Sequence, residues 1–510
     1  MNHSFIKYYS EHEGYKCGYC KRPDTNYSHV MWAHAMTVTD YQDLIDRGWR
    51  RSGKQCYKPT LEVICCPMYT IRCRALEFKL TKSQKKVLKS FNKFLIGEEI
   101  SDISAQESRE DVAMEQVEGQ EQFLESKRPH EDVNIAGMDI PFIEEADDSR
   151  KLELSEIETK DDSHMQKFDS HLDLQQASSS TASSSCLSGN ISKEKSNKVT
   201  GADPTKAPCK KAKQARRERM LEKLQRKGIN VTTLDNTSKN TPKTIEDIIN
   251  ELPDNVKSKL EIKLVRTEPP SPEWLATKSE SHEVYVKYQT IVHGDKPEKC
   301  TEPKFHDFLV HSPLLEEYSE VGPPCGYGSF HQQYWLDGKI IAVGVIDILP
   351  KCISSVYFFY DPQYLCLSLG TYGALREIAF TRQLQKICPN LKYYNMGFYI
   401  HTCTKMRYKG KFHPSDLLCP ETFKWFPIKE CIAKLEISKY SRFDPDLDGV
   451  DENYPTDNDV NNIKVLSNGQ VQIYKVFKRK AGRKYNEEFE VLEYARLVGG
   501  KTARSIIMVM

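Results

Sequence analysis

The residues best equipped for chemistry in this sequence are its cysteines. Six of the 16 fall within the first 73 residues. Cys17-Gly18-Tyr19-Cys20 is a C-x-x-C knuckle, in which the glycine permits a turn tight enough to bring two thiolates onto one ion. Cys65-Cys66, 45 residues after Cys20, completes a four-sulfur set. Four thiolates suit tetrahedral zinc or an iron–sulfur cluster, and residue type does not separate the two. Cys56, Cys73, His12, His29 and His34 are further candidate ligands. A metal knot that only stabilises a small domain is the plainest reading, and the adjacent Cys65 and Cys66 also fit a redox-responsive pair.

A second group is cationic. Tyr41, Leu44 and Ile45 have helical spacing, and Gly48 predicts the end of that helix. Arg47, Arg50, Arg51 and Lys54 follow beside Trp49. One or two cations at a helix C-terminus are electrostatically ordinary, whereas four beside an indole fit a phosphate or RNA contact. Residues 206–227 carry ten cations against two carboxylates and include Lys210, Lys211, Arg216 and Arg217. That stretch fits a phosphate-tracking arm, a nuclear import signal or a solvated charged helix.

A third group lies in the C-terminal half. Asp347 ends an apolar stretch and Glu377 sits in a helical one. Either carboxylate could accept a proton or hold a cationic substrate; a strand-end turn or a surface ion pair would explain each as well. His331, Gln332 and Tyr334, followed by Trp335, read as a pocket wall or as ordinary hairpin packing. Lys405, Arg407, Lys409 and Lys411 alternate with Met406, Tyr408 and Phe412, which predicts an edge strand with a basic face.

The elements that must position these groups are legible in outline. Asp337-Gly338 predicts a hairpin turn leading into an apolar strand over 339–349. A strand over 356–360, a helix started by Ser368 or Thr371, and a strand over 393–400 follow. Upstream lie a short amphipathic helix over 245–252 and a strand over 260–266. Hairpin, strand, helix, strand is the order of an α/β acyltransferase of the acetyltransferase (GNAT) type, and of other α/β folds. A coenzyme A enzyme would hold the pyrophosphate with a G-x-G turn at that helix start; Gly370-Thr371-Tyr372-Gly373 lacks it.

Composition divides the chain. Its 73 Lys+Arg and 72 Asp+Glu leave a net charge of +1, and 39% of residues are hydrophobic. Of 51 aromatic residues only Phe123, Phe142 and Phe168 fall within 97–245, beside a serine-rich tract and opposed acidic and basic halves. Such a segment buries too little apolar surface to order itself. The expected organisation is a Cys-rich domain over 1–96, a largely disordered insert over 97–243, and an α/β domain over 244–510 with an acidic stretch after about 444. No apolar run of about 18 residues predicts a membrane span, and the first ten residues lack the core of a secretory signal.

The knuckle, Met31-Trp32-Ala33-His34, Asp46-Arg47-Gly48-Trp49-Arg50-Arg51-Ser52-Gly53, Cys65-Cys66-Pro67 and the block 326–425 together resemble the arginyl-tRNA–protein transferase family, above all its animal members. The likeness is strongest over 329–350, 367–384 and 396–425. It implies transfer of arginine from arginyl-tRNA to the α-amino group of proteins that begin with Asp, Glu or oxidised Cys, marking them for ubiquitin-dependent degradation. It also implies an acetyltransferase-like catalytic fold without coenzyme A. An iron–sulfur cluster on Cys17, Cys20, Cys65 and Cys66 goes with it, zinc being the alternative and haem a regulator. Expected partners are arginyl-tRNA and acceptor proteins, with no membrane, in cytoplasm and nucleus.

The reaction so implied is ester aminolysis, in which positioning dominates because the ester is already activated. Asp347, Glu377, His331, Gln332 and Tyr334 are the catalytic candidates. Lys405, Arg407, Tyr408 and Lys409 would meet the acceptor, and the cations at 47–54 and 210–217 the tRNA. Two other readings use the same residues: a coenzyme-A-dependent acetyltransferase, and a metal-stabilised tRNA-binding adaptor with a degenerate catalytic fold.

Overall fold

The computed structural model describes residues 3–10, 12–98, 219, 243–253, 256–481 and 488–510. Lys210, Lys211, Arg216 and Arg217, and nearly all of the expected insert, lie outside the described residues.

The first half contributes strands β1 (Phe5–Tyr9), β2 (Ser28–Ala35), β3 (Arg50–Ser52), β4 (Gln55–Pro59) and β5 (Tyr69–Arg74). The second half begins with β6 (Leu260–Glu268), β7 (Gly328–Leu336), β8 (Lys339–Ile348), β9 (Cys352–Tyr360) and β10 (Tyr393–Tyr399). It ends with β11 (Ser415–Leu418), β12 (Trp425–Pro427), β13 (Lys464–Ser467), β14 (Gln470–Ile473) and β15 (Ile507–Val509). Among the described residues these form two mixed sheets, β14-β13-β15-β1-β2-β4-β3 and β12-β11-β5-β10-β9-β8-β7-β6. The fold is therefore α/β, as the sequence predicts.

A partition at 96 and 244 marks where the sequence changes character, but the flanking segments share both sheets. β5 lies between β11 and β10, while β15 and β13 extend β1. Strand pairing, the strongest determinant of which segments fold together, is invisible to composition.

The core of the larger sheet is the hairpin β7–β8. Asp337 and Gly338 both have positive φ (48° and 82°), the turn that matches strand twist. β8 is buried along its whole length after Lys339, which explains its unbroken apolar run. Its two faces are covered by different helices, α3 (Pro272–Tyr288) and α4 (Leu369–Gln385). Phe359 packs on Tyr285 of α3, with ring centres 5.7 Å apart. Its neighbour Phe358 fills the space beside Gly373 of α4. Consecutive strand residues point to opposite faces, so the helices sandwich the sheet.

A polar row crosses this apolar sheet. Ser329 pairs with Asp347, Asp347 with Ser354, and Ser354 with Asn395, one residue from each of β7, β8, β9 and β10. Two consecutive arginines of β3 lie along it. Arg51 makes a two-pronged contact to Asp347, with Nε 2.8 Å from one oxygen and Nη2 2.5 Å from the other, and donates to Ser329. Arg50 donates to Ser354 and Asn395 at 3.1 and 2.8 Å. All four partners are buried. Burial opposes the charge on Arg51, but Asp347 outweighs it and holds the guanidinium protonated.

Arg51→Met leaves a buried carboxylate unpaired and is expected to lower unfolding free energy by about 3–5 kcal/mol, read by urea denaturation. Adding Asp347→Leu should recover part of that loss. A single-variant loss below about 1 kcal/mol would show that the pair does not lock the two sheets together.

Candidate active site and metal centre

β9 and β10 run parallel, and they pair only from Tyr393–Cys352 to Asn395–Ser354. Beyond that point they part. On its other edge β10 changes register against β5 between Asn395 and Phe398, and Gly397 there takes φ +74°. A side chain at 397 would press within 3.3 Å of the Arg50 guanidinium, so glycine meets both a conformational and a spatial need. The fork deprives the Ser355 carbonyl of its strand partner, and Arg50 Nη2 donates to it at 2.6 Å. Asn395 accepts from the Gly397 amide at 2.9 Å. Arg50 is thus the wedge at the apex of the fork.

Between the parted strands opens a cavity that, with the solvent at its mouth, spans about 800 Å³. Its walls are aromatic, including Tyr357, Phe358, Tyr394, Phe398 and Tyr408. The floor is one face of α4, carrying Gly370, Ala374 and Glu377 at helical spacing. Glu377 is only 1% exposed and accepts from the Tyr394 hydroxyl at 2.7 Å. Gly344 of β8 leaves it room, since a Cβ there would approach Glu377 Oε1 to 2.7 Å. A buried carboxylate among aromatic faces is a receptor for an extended cation such as guanidinium.

Sequence-predicted residues divide clearly. Glu377, Tyr408 and Lys409 line the cavity, and Lys409 donates to the Met396 carbonyl at 2.9 Å. Asp347 does not: its carboxylate is consumed by Arg51 and Ser329 at the row described above. His331 faces α3, the opposite side, with Nε2 3.0 Å from the Leu309 carbonyl and its ring edge-on to Trp274. Burial pushes its pKa down to about 4, so it is a neutral core histidine. Gln332 and Tyr334 face α4 but are buried and bond each other at 2.8 Å.

The cations at 47–54 also find structural partners. Arg47 forms a two-pronged pair with Asp451 and lies 4.0 Å from the Phe423 ring centre. Arg50 and Arg51 are buried, and Lys54 sits half-buried in the turn before β4. The segment 405–411 is not an edge strand. Residues 401–406 turn back, and Arg407–Lys411 form a 3-10 helix. Its period-two pattern does not separate two faces: Met406, Tyr408, Lys409 and Phe412 all line the cavity, and Met406 also packs with Cys17 and Cys66.

The sulfurs of Cys17, Cys20, Cys65 and Cys66 all lie within 4.8 Å of one another, the only such group among the described residues. Cys20 and Cys65 approach to 3.3 Å. The knuckle is closed by the Cys17 amide donating to the Arg22 carbonyl, and its left-handed residue is Lys21 (φ 62°) rather than Gly18. Burial opposes ionisation of Cys20, but bonds from the Arg22 side chain and backbone prevail and bring its pKa down to about 6. Cys56 and Cys73 are buried elsewhere, where desolvation raises both thiols to about 12. The four-sulfur set could hold a metal ion.

The patterns described as "Arginine-tRNA-protein transferase, N terminus" and "C terminus" match residues 15–86 and 280–419. The chain is 39% identical to arginyl-tRNA–protein transferase 1 of Drosophila melanogaster over all of both chains. The chain belongs to the arginyl-tRNA–protein transferase family. It is also 33% identical to transferase 1 of Arabidopsis thaliana, over 83% of this chain and 73% of that one. An aspartate/glutamate leucyltransferase of Pseudomonas fluorescens is 41% identical over 24% of this chain and 51% of its own.

Within this transferase the wedge role of Arg50, the Glu377–Tyr394 pair and the reach of Tyr19 into the cavity were not foreseeable from residue types. Gly344 and Gly397, each inside a strand, were the available signal, because strand glycines mark close approaches and irregularities.

His331→Leu tests the division of roles. The unfolded histidine titrates near 6.5 and the folded one near 4, so between those values the unfolded state binds more protons and native stability rises with pH. The variant should lose that pH-dependence, seen in urea midpoints at pH 4.5 and 7, with the pH profile of kcat unaltered. A displaced kcat profile would return His331 to the chemistry.

Proposed function

We propose that this chain transfers the arginyl group of arginyl-tRNA to the α-amino group of acceptor proteins, with the fork cavity as the reaction site. The observation that carries the assignment of the site is the buried Glu377 carboxylate on an aromatic-walled floor. The arginyl guanidinium enters the cavity, stacks on the rings and pairs with Glu377. The neutral amine of the acceptor attacks the ester carbonyl carbon. A C–N bond forms, the bond to the ribose oxygen breaks, the amine loses a proton and the ribose oxygen gains one. The parted strand edges offer backbone N–H groups to the developing oxyanion.

An acetyltransferase-like catalytic fold is supported by the splayed parallel pair β9 and β10 with a helix start beside it. Acceptors with N-terminal Asp, Glu or oxidised Cys fit Lys409, the cation of the 405–411 segment that lines the cavity, and the leucyltransferase relative is named for aspartate and glutamate. Arginylation would then mark such proteins for ubiquitin-dependent degradation. Tetrahedral zinc at about 2.3 Å from each sulfur sets the sulfurs about 3.8 Å apart. The spacing of the four cysteines supports one tetrahedrally held ion over the polynuclear iron–sulfur cluster that the resemblance implied. The ion would fix the knuckle whose Tyr19 lines the cavity.

Glu377→Gln removes the charge and keeps the shape. Transfer of labelled arginine to an Asp-N-terminal peptide should show KM for arginyl-tRNA raised about 10- to 100-fold, the worth of one charge-assisted hydrogen bond. An unchanged KM in a variant with wild-type thermal stability would remove Glu377 from the arginine site. Elemental analysis after anaerobic purification should find about one zinc per chain, lost in Cys20→Ser and kept in Cys73→Ser. Iron with acid-labile sulfide would assign a cluster instead.

A further inference from the structure

Arg47, Arg50 and Arg51, first read as an RNA contact, are buried struts, so other cations among the described residues are the candidates for holding the tRNA. This inference rests on the transfer reading above. Lys16, Lys21 and Arg22 flank the cysteine knuckle and are exposed. Cys17 and Cys66 pack against Phe398, Ile400 and Met406, which brings the knuckle onto the turn that follows β10. Lys405, half-buried on that turn, is within electrostatic reach of Lys21, as is Lys16. Among the described residues neither Lys16 nor Lys405 has an ion-pair partner.

Continuity with the cavity distinguishes this patch from other basic surface. Tyr19, between Cys17 and Cys20, lines the same cavity as Tyr408 and Lys409. The next basic face, at 475–480, has Lys478 paired with Glu488 and Lys480 bonded to Gln472. Arg407 is exposed, but its guanidinium is engaged, donating to the His401 carbonyl.

The geometry points to a track for single-stranded RNA across the cysteine knuckle. Lys16, Lys21, Arg22 and Lys405 take successive phosphates of the tRNA 3′ end, and Tyr19 offers a ring for a base where that end enters the cavity. Phosphate contacts of this kind carry no sequence information; they set where the ester arrives. The metal-binding knuckle is thereby part of the tRNA interface and not only a staple of the fold.

The test is a triple variant, Lys16→Gln, Lys21→Gln and Lys405→Gln, assayed with arginyl-tRNA and an Asp-N-terminal peptide, with metal content measured in parallel. At about 0.7 per single-strand phosphate neutralised, the slope of log K for tRNA against log salt should fall by about 2. KM for arginyl-tRNA should rise at least tenfold while KM for the peptide stays put. A Lys475→Gln, Arg479→Gln pair should leave both unchanged. If the triple variant loses metal, Lys405→Gln alone, on a turn without ligand cysteines, should still flatten the slope by about 0.7. An unaltered slope with transfer intact would overturn the track and leave the transfer reading standing. A rise only in the peptide KM would give these cations to the acceptor instead. Wild-type protein that binds tRNA without transferring arginine would refute the transfer reading, and the salt slope would still judge the track.

Discussion

Two consecutive guanidinium groups hold this structure together. Arg50 and Arg51 extend from the short strand β3 into the other sheet and satisfy a row of four polar residues that would otherwise be buried in apolar surroundings. Neither half of that arrangement is stable alone. The row without the arginines is an unpaired carboxylate with two hydroxyls and an amide in a dry interior, and the arginines without the row are two buried charges. A buried ion pair contributes little net stability, so its main effect is to permit one register and no other. A shift of β3 by one residue would reverse the direction of each side chain and take both guanidinium groups away from their partners.

The cavity follows from the same constraint. Parallel strands that part must leave backbone groups unpaired at the apex, and buried unpaired groups are costly. Arg50 meets the exposed carbonyl of Ser355 while its other donors bind the last paired residues, Ser354 and Asn395. The fork is therefore held open by a charge that is itself fixed by the sheet. Interleaving has the same effect on a larger scale. Because β5 lies between β10 and β11, the wall of the cavity contributed by β10 has no outer neighbour until residues 69–74 have joined the sheet. The site cannot be assembled by the C-terminal segment alone.

The sequence made local elements legible and long-range pairing illegible. The helix over Val38–Ile45, the turn at Asp337-Gly338, the unbroken strand after it and the helix over Leu369–Gln385 each announce themselves by spacing or turn residues. The four cysteines were legible because metal geometry demands a short list of residue types. His331 misled because a histidine beside glutamine and tyrosine looks the same whether it faces a cavity or Trp274. The basic alternation at 405–411 misled for a related reason: alternating residue types do not fix a strand, and here they fall on a turn and a 3-10 helix whose Met406, Tyr408, Lys409 and Phe412 all line the cavity. Glu377 was legible as a candidate, but its surroundings, the aromatic enclosure and the gap at Gly344, come from three other segments.

Two cationic stretches in the first 60 residues show why charge counts mislead most. Residues 47–54 carry four cations and residues 16–22, around the C-x-x-C, carry three. Their fates differ because their backbones differ. Arg50 and Arg51 belong to a strand whose neighbour β4 places them against a second sheet, and there each charge must find an anion or a carbonyl. Lys16, Lys21 and Arg22 surround a tight knuckle whose four sulfurs converge on one point, and these three cations are exposed. A turn organised around converging ligands leaves its other side chains on the outside. When those residues are cationic and the turn borders a cavity, the constraint that gathers the sulfurs also builds the charged surface.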